Sequence, residues 1–361
     1  MIPIAKPLIS DLEKKLVMEV LDSGVIASGK YVEQFEEKFA DYLKVKYAVA
    51  TSSGTTALHA AIEALNLPKD SEIVTTPFTF IASSNSILYS GLNPVFVDID
   101  EKTFNIDPNK VENAVKENPK IRAILVVHLY GLPVDMDAIM EIANRYDLKV
   151  IEDCAQAHGA EINGKKVGTI GDVATFSFYP TKNMTTSEGG MVVTNNEEIY
   201  KNTKLLINHG SPERYNHTIL GYNYRMTNIS AAIGLGQLER LDEFNNARIK
   251  NAMALNEGLK DIDWLVTPYT PEHYKHVYHQ YTVKVLIDRD KVIQALQDNQ
   301  IGYGIHYPKP LHKQKVYTDR GYAGLSLPIS EKMAEQVLSL PVHPALKDED
   351  IGTIISVLNS I

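Results

Sequence analysis

A lysine that closely follows an apolar strand is the most reactive candidate in this sequence. In Phe176-Ser177-Phe178-Tyr179-Pro180-Thr181-Lys182-Asn183, proline must end the strand predicted over 173–178, because it cannot donate to a sheet ladder. Lys182 should therefore leave the sheet at the carboxyl end of that strand, the edge where open α/β sheets bind ligands. A desolvated lysine has a lowered pKa and can act as a nucleophile. The competing interpretation is a solvated loop lysine.

A second group of residues could bind an anion. Small and hydroxyl residues in Ser52-Ser53-Gly54-Thr55-Thr56-Ala57-Leu58 follow a predicted strand and open a helix. Free N–H groups and the helix dipole at such a position favour a phosphate. An ordinary capped helix explains the pattern equally well. A hydrolase elbow fits poorly, since Ala50 stands where its first glycine should be.

A third group centres on a carboxylate. Asp153 ends the apolar run of Val150-Ile151-Glu152-Asp153-Cys154-Ala155-Gln156-Ala157-His158-Gly159, and a buried carboxylate needs a cationic or hydrogen-bonding partner. A pyridinium nitrogen is one such partner, and pyridoxal phosphate (PLP) enzymes place an aspartate opposite a Schiff-base lysine. Metal binding by Asp153 with His158 lacks the usual Cys/His ligand spacing. A structural aspartate remains the third interpretation.

The elements that must position these groups alternate between strands and helices. Seven runs, most of them almost entirely apolar, are separated by helical patterns: 47–50, 73–76, 94–97, 123–127, 149–152, 173–178 and 191–194. Such runs indicate a sheet covered on both faces. The sequence therefore predicts an α/β fold with a mostly parallel seven-stranded sheet flanked by helices.

Helix signals and a change of pattern divide the chain into two predicted domains. A capping box at Ser10 opens a helix to about Leu21, with Gly24 at its exit, and a second helix follows through Val32 and Phe35. The large domain is predicted over residues 1–245, although residues 1–25 could pack on the small domain. A smaller α+β domain over 246–361 is predicted from the elements that follow a long helical region from 228 to 259: a strand at 278–287, a helix at 291–298, a short strand near Ile301, and helices at 333–338 and 348–358.

Composition excludes several classes of function. The 361-residue chain has a net charge of −9 and no basic stripe, so a nucleic-acid partner has no electrostatic support. No apolar stretch approaches the roughly 20 residues of a membrane span. A single cysteine, Cys154, fits a reducing compartment, so a cytoplasmic protein is expected. Neither Gly234-x-Gly236 nor Gly302-x-Gly304 is a dinucleotide fingerprint.

Many ordered motifs resemble one enzyme family. From Gly24 to about Pro344 the chain is similar to PLP-dependent nucleotide-sugar aminotransferases of the DegT/StrS type. The motifs that carry the resemblance are SSGTTALHAAI, PFTFIAS, NPVFVDID, VVHLYG, IEDCAQAHGA, FSFYPTKN, EGGMVVTN, GYNYRMTN with AAIGLGQLERLD, and IHYPKPLH. The resemblance implies PLP transferase fold type I and a homodimer with shared active sites.

The resemblance also implies cofactor contacts. Lys182 would form the internal aldimine with PLP, and Asp153 would keep the pyridine nitrogen protonated. The further implied contacts are Gln156 with the ring hydroxyl, Phe80 on the ring face, Gly54, Thr55 and Ser177 with the phosphate, and Asn223 from the other subunit, also with the phosphate.

The implied reaction is transamination. Some relatives carry histidine in place of the lysine and are dehydratases, whereas this chain keeps Lys182. Glutamate or glutamine would convert PLP to pyridoxamine phosphate. Its amine would pass to a keto group (C3 or C4) of a nucleotide-linked deoxy-keto-sugar, for amino-sugar or polysaccharide biosynthesis. Lys182 would act as the general acid and base. No metal is implied.

The residues that would bind the substrate come from several segments. Lys30, Arg225 and Lys309 could hold an anionic diphosphate, together with Tyr179, His306 and Tyr307. For His306 a packed loop histidine is a comparable interpretation. The IHYPKPLH segment looks somewhat more like enzymes that aminate C3 than C4.

Two departures and two alternative functions remain open. Ser187 stands where most members have glycine, and Lys30 stands where proline is usual, so Ser187 could narrow the substrate pocket or change a turn. A PLP-binding regulator without turnover is one alternative, because fold does not dictate function. An aminotransferase for keto-cyclitols is the other.

Overall fold

The central element is a seven-stranded sheet. A computed structural model describes residues 1–361. The strands of this sheet are β1 (Tyr47–Thr51), β2 (Glu72–Thr75), β3 (Asn93–Phe96), β4 (Ile121–Val127), β5 (Lys149–Asp153), β8 (Val173–Ser177) and β9 (Gly190–Thr194), with the short strands β6 (Glu161–Ile162) and β7 (Lys165–Lys166) lying outside it. The order in the sheet is β1-β9-β8-β5-β4-β2-β3. Only β9 pairs antiparallel with its neighbours, β1 and β8, so the predicted mostly parallel sheet is confirmed, with strand ends within two residues of those expected.

Helices cover both faces of this sheet. Along β4, Ala123, Leu125 and Val127 pack into one apolar cluster, whereas Ile124 and Val126 pack into another. Alternate side chains of a strand point to opposite faces, so both faces are buried. The first nine helices are α1 (Asp11–Ser23), α2 (Lys30–Leu43), α3 (Gly54–Ala64), α4 (Ala82–Tyr89), α5 (Pro108–Glu117), α6 (Met136–Tyr146), α7 (Glu197–Ile207), α8 (Asn228–Glu239) and α9 (Leu241–Leu259).

The capping residues predicted for the first helix are present at both ends of α1. Ser10 and Glu13 form the expected capping box, and Gly24 ends the helix in the left-handed conformation with φ 70°. A residue with a Cβ would be strained in that conformation.

The long helical region predicted over 228–259 is interrupted once. α8 ends and α9 begins around Arg240, whose φ/ψ of −112° and 2° depart from helical values. The predicted domain boundary at residue 245 lies within α9. Phe244 is buried near the start of this helix, whereas Leu255 and Leu259 pack into a cluster with Tyr281 and other residues of the C-terminal region.

The C-terminal region contains a small sheet and four further helices. The elements after α9 are β10 (Leu265–Val266), β11 (Tyr274–Lys275), β12 (Tyr281–Val285), β13 (Val337–Leu340), α10 (Arg289–Asp298), α11 (Lys315–Thr318), α12 (Pro328–Gln336) and α13 (Asp348–Asn359). The small sheet has the order β10-β12-β13. Residues 1–25 do not all belong to one region, since Ile2 packs into the C-terminal cluster while α1 packs against α8. The division at residue 245 stays a prediction.

Three sequence predictions in this region need correction. The helix predicted over 333–338 ends at Gln336, and Val337–Leu340 is a buried strand paired with β12. Met333, Ala334, Val337 and Leu338 fit helical spacing, but the pairing with β12 prevails over that pattern. The strand expected over 278–287 is shorter, Tyr281–Val285, and Ile301 forms a single bridge with Ile2 rather than a strand.

None of the helices combines the length and apolar character that a bilayer crossing requires.

Candidate active site

Lys182 lies in a tight loop beyond the end of β8. Its N–H donates to the Tyr179 carbonyl at 2.9 Å. The loop is closed by bonds from Phe178 N to Gly189 O at 2.9 Å and from Thr186 N to Phe178 O at 3.0 Å. Phe178 is fully buried, so the apolar end of the strand anchors the loop and fixes the lysine at the carboxyl edge of the sheet.

The surroundings of Lys182 favour its neutral amine. Its side chain is half-buried, and desolvation lowers the pKa of Lys182 to about 8, an effect that the Asp153 carboxylate partly opposes. Asp153 is the only charged group that acts on this pKa. The pKa of the amine is thus close to the value that acid/base catalysis at neutral pH needs.

Asp153 ends β5, which lies beside β8 in the sheet. It is buried, its Oδ2 accepts from Ser83 Oγ at 2.8 Å, and its Oδ1 accepts from the Ala155 N–H at 3.0 Å. Burial raises the pKa of Asp153, although both hydrogen bonds and the charge of Lys182 oppose that rise. The carboxylate therefore lacks a full counter-charge and suits a cationic ligand.

The N-terminus of α3 lies against the end of β8. Ser53 and Thr56 form a capping box with each other, whereas the N–H groups of Gly54 and Thr55 have no acceptor within the helix. A Cβ added at Gly54 would lie 2.6 Å from Cβ and 2.9 Å from Oγ of Ser177. Two free N–H groups and a hydroxyl group therefore lie side by side, an arrangement suited to a phosphate.

Gln156 has a fixed position in the site. Its Oε1 accepts from the Tyr130 N–H at 2.7 Å, and its Nε2 donates to the Tyr307 hydroxyl at 3.1 Å. The ring of Phe80, 56% exposed, lies 6.4 Å from that of Tyr307. Phe80 therefore offers an open aromatic face beside this network.

His306 is a packed histidine rather than a free cation. Its Nδ1 is 2.9 Å from Ser339 Oγ, and its carbonyl accepts from the Tyr130 hydroxyl. Burial lowers the pKa of His306 to about 4, with a further contribution from Lys182. The ring is therefore neutral at pH 7 and can offer a substrate a hydrogen bond but no charge.

The other sequence candidates lie at the surface. Lys30, Tyr179, Asn223 and Lys309 are exposed. Arg225 lines an open cleft of about 700 Å³ together with Gly29, and its Nη1 donates to Asn208 Oδ1 at 2.7 Å.

Of the substrate candidates, only Arg225 lines this cleft. Lys182, His306, Tyr307 and Lys309 do not line it.

Several residues of the site were not identified by sequence reasoning. Ser83, the last residue of PFTFIAS, and Tyr130, within VVHLYG, carry hydrogen bonds whose partners are 70 and 26 residues away. Both lie in motifs that bear the resemblance, which was the available signal. Their partners depend on tertiary contacts.

The alternatives raised for these groups find little support. His158 lies between Phe176 and Phe178, with ring centroids 5.4 and 5.6 Å away, and burial lowers its pKa to about 3. Ser52 Oγ is 3.2 Å from Thr56 Oγ1 within the helix cap, so it lacks the histidine base of a hydrolase.

The possible ligand atoms of one group of side chains are close enough together to bind a metal ion, but its histidine and glutamate form hydrogen bonds with protein groups. It consists of His128, Glu152 and Cys154, and it includes neither Asp153 nor His158. His128 Nδ1 accepts from the Val134 N–H at 3.0 Å, and Nε2 lies 3.1 Å from Glu152. Burial alone would raise the pKa of Glu152, but the His128 bond and backbone N–H groups lower it overall. The group supports the strand end that carries Asp153.

Comparison with known proteins identifies a family. A model described as the DegT/DnrJ/EryC1/StrS aminotransferase family matches residues 7–359, which is nearly the whole chain.

Individual relatives differ in name. The chain is 43% identical to a "Pleiotropic regulatory protein" of Geobacillus stearothermophilus, covering 93% of this chain and 91% of that protein. It is 40% identical to the UDP-N-acetyl-3-dehydro-alpha-D-glucosamine 3-aminotransferase of Acidithiobacillus ferrooxidans, covering 94% and 91%. Among solved structures, DesV of S. venezuelae in complex with a ketimine intermediate superposes with a TM-score of 0.93 at 36% identity, covering 96% and 93%.

Proposed function

The chain belongs to the DegT/DnrJ/EryC1/StrS aminotransferase family, and we propose that it uses PLP to transfer an amino group to a nucleotide-linked keto-sugar. The amino donor is glutamate or glutamine, and the acceptor is the C3 or C4 carbonyl of a deoxy-sugar. The observation that carries the proposal is the placement of Lys182 and the under-compensated carboxylate of Asp153 at the ends of adjacent strands, where the charge of each acts on the pKa of the other.

The residues present fit PLP. Asp153 offers a buried carboxylate with both oxygens already oriented by hydrogen bonds, and Gly54 leaves space against Ser177 that any Cβ would fill. Asp153, Gln156, Phe80 and Lys182 would hold the ring, and Gly54, Thr55 and Ser177 would hold the phosphate. When bound, the pyridinium ring withdraws electrons from the carbon that loses its proton.

Lys182 supplies the proton transfers. With a pKa of about 8, its Nζ is partly neutral near physiological pH and can accept and return a proton without a large energetic penalty. Asp153 would keep a proton on the pyridine nitrogen of the bound cofactor, because burial makes an unpaired carboxylate costly at that position. Ser83 and the Ala155 N–H orient the carboxylate for this bond.

Recognition of the substrate diphosphate would use the surface cations. Lys30, Arg225 and Lys309 carry the charge, while Tyr179, His306 and Tyr307 offer hydrogen bonds. Arg225 lines the cleft and the His306–Lys309 segment does not, and in the proposed dimer the two groups would come together across a subunit contact.

The proposed homodimer has support from exposed apolar residues. In the segment that leads to Asn223, Tyr215 is 82% and Leu220 is 83% exposed. Exposed apolar residues that cluster are typical of interaction surfaces. In the dimer, Asn223 would reach the phosphate site of the partner.

The test is turnover by the purified protein. It should absorb as a PLP protein, lose that absorbance with glutamate or glutamine, and aminate a nucleotide-linked keto-sugar; nuclear magnetic resonance of the product gives C3 or C4. The matched control is Lys182→Ala, which should bind pyridoxamine phosphate without turnover.

Two other outcomes would redirect the proposal. Cofactor binding without turnover of any keto-sugar would favour a regulator, the function that one relative's name suggests. Turnover of a keto-cyclitol that a nucleoside diphosphate does not inhibit would favour the cyclitol alternative.

A further inference from the structure

Tyr130 connects three segments of the site through one buried residue. Its N–H donates to Gln156 Oε1 at 2.7 Å, its carbonyl accepts from the Gln280 N–H at 3.3 Å, and its hydroxyl donates to the His306 carbonyl. The side chain is 3% exposed. Every polar group of Tyr130 is therefore used to hold another part of the protein.

The backbone of Tyr130 is strained, which indicates that these bonds matter. Its φ is 58° within the turn Leu129–Gly131, in the left-handed region that is unfavourable for residues other than glycine. Such a conformation persists only where the surroundings determine it, and it is concentrated at functional sites. Gly131, with φ 97°, continues the turn, and a Cβ there would meet the Gln156 carbonyl at 3.0 Å.

The Tyr130 N–H fixes the direction of the Gln156 amide. A backbone N–H can only donate, so the atom that it contacts must be the amide oxygen, and the NH₂ group must face the other way. That NH₂ group donates to the Tyr307 hydroxyl at 3.1 Å. Tyr307 then accepts from Gln156 and keeps its own O–H free to donate into the site.

The Tyr130 hydroxyl fixes the segment that carries Tyr307 and Lys309. It holds the backbone at His306, while Ser339 holds the His306 ring at 2.9 Å. Ser339 Oγ is in turn 2.8 Å from Thr282 Oγ1. The segment is therefore attached both to the turn after β4 and to the small sheet.

We propose that Tyr130 is a positioning residue that sets the cofactor contact at Gln156 and the substrate contacts at residues 306–309 together. The catalytic part of this inference rests on the proposed function, since it assigns the two sides of the site to cofactor and keto-sugar. The structural part does not, because it concerns only the order of residues 304–309.

Tyr130→Phe tests the hydroxyl while keeping the N–H to Gln156. A net hydrogen bond is worth about 0.5–1.5 kcal/mol, so we expect amide exchange in residues 304–309 of the PLP-loaded protein to rise about three- to tenfold. KM for the keto-sugar should rise by a similar factor, whereas KM for the amino donor and the absorbance of bound PLP should not change.

Tyr322→Phe is the matched control. The Tyr322 hydroxyl also donates to a backbone carbonyl, that of Pro94, at 2.6 Å, so its loss should cost similar stability. It should leave amide exchange in residues 304–309 and both KM values unchanged.

Tyr307→Phe tests the other branch through a spectroscopic readout. Loss of the hydroxyl that faces Gln156 should shift the pH titration of bound PLP absorbance, and Tyr322→Phe should not.

The outcomes separate this inference from the proposed function. Unchanged exchange in residues 304–309 for Tyr130→Phe, or equal exchange changes there in both control and variant, would overturn the positioning role. Wild-type protein that aminates no keto-sugar would overturn the proposed function, while the exchange result would still decide the role of Tyr130.

Discussion

Asp153 is the last residue of β5 and Lys182 lies beyond the end of the adjacent parallel strand β8, and the charge of each acts on the pKa of the other. Neither is compensated by this interaction alone: burial still leaves the pKa of Asp153 raised and that of Lys182 lowered, to about 8. A cationic ring bound between them would relieve the carboxylate and leave the amine free for proton transfer.

Asp153→Asn should separate catalysis from folding. An amide cannot hold a proton on the pyridine nitrogen, and hydrogen bonds to charged groups are worth about 1.5–3 kcal/mol, so kcat should fall about ten- to hundredfold. The buried Asp98, which accepts from Ile329 N, Ser330 N and Ser330 Oγ, gives the control: Asp98→Asn should lower stability and keep kcat.

The same substitution has a pH signature in the PLP-free protein. The folded-state pKa of Asp153 is raised above its ordinary 3.8, so the folded state binds more protons than the unfolded state as pH increases from 3.8 through the raised value. Asp153 therefore makes stability fall over that window. Denaturant unfolding of Asp153→Asn should lack this component, and an identical pH profile in both proteins would contradict the burial argument.

Lys182→Met should stabilise the PLP-free protein at pH 7, by up to about 3 kcal/mol, since one pKa unit corresponds to about 1.4 kcal/mol. The folded-state pKa of about 8 lies below the ordinary 10.5, so the unfolded state binds more protons between these values. Wild-type stability should therefore gain a contribution from Lys182 as pH rises from about 8 to 10.5, and Lys182→Met should lack it.

Lys204→Met is the contrasting variant for that experiment. Lys204 Nζ pairs at 2.7 Å with Glu36, whose side chain is 12% exposed, so its removal should lower stability at pH 7. If both lysine variants lost stability, the conclusion that desolvation of Lys182 costs stability would be wrong.

Gly54→Ala should weaken PLP binding at least about tenfold, which corresponds to a loss of about 1.4 kcal/mol. The new Cβ would lie 2.6 Å from that of Ser177, so one side of the phosphate site would have to move. Gly352 in α13 gives the control, because a Cβ there would meet no neighbouring atom within 4 Å. Gly352→Ala should leave the Kd for PLP unchanged and raise stability by about 1 kcal/mol.

Ser187→Gly should raise stability by about 0.5–1 kcal/mol. Ser187 is exposed and has φ 70°. The strain that glycine would relieve in this conformation exceeds the additional conformational entropy that glycine loses on folding. Ser28→Gly is the control, because Ser28 is exposed without a positive φ and should lose stability. A loss in both variants, measured by thermal unfolding, would contradict the strain at Ser187.

The sequence predicts the parts of this protein that depend on local pattern. The seven apolar runs become the seven strands, and Pro180 places Lys182 beyond its strand, because these features need only the chain near them. Ser187 has a left-handed backbone conformation, which glycine adopts more readily than serine.

The remainder depends on contacts between distant residues. Ser83 meets Asp153, and Tyr130 meets His306 across 176 residues, so neither role has a local signature. Val337 and Leu338 fit the helical spacing of Met333 and Ala334, but they begin a strand because β12 offers them a partner.

Borohydride reduction of the PLP-loaded protein, followed by peptide mass spectrometry, would show which amine holds the cofactor. We expect the pyridoxyl group on Lys182 in the wild-type protein and no pyridoxyl group in Lys182→Ala. A pyridoxyl group on another lysine, or transamination by a protein that attaches PLP nowhere, would refute the role proposed for Lys182.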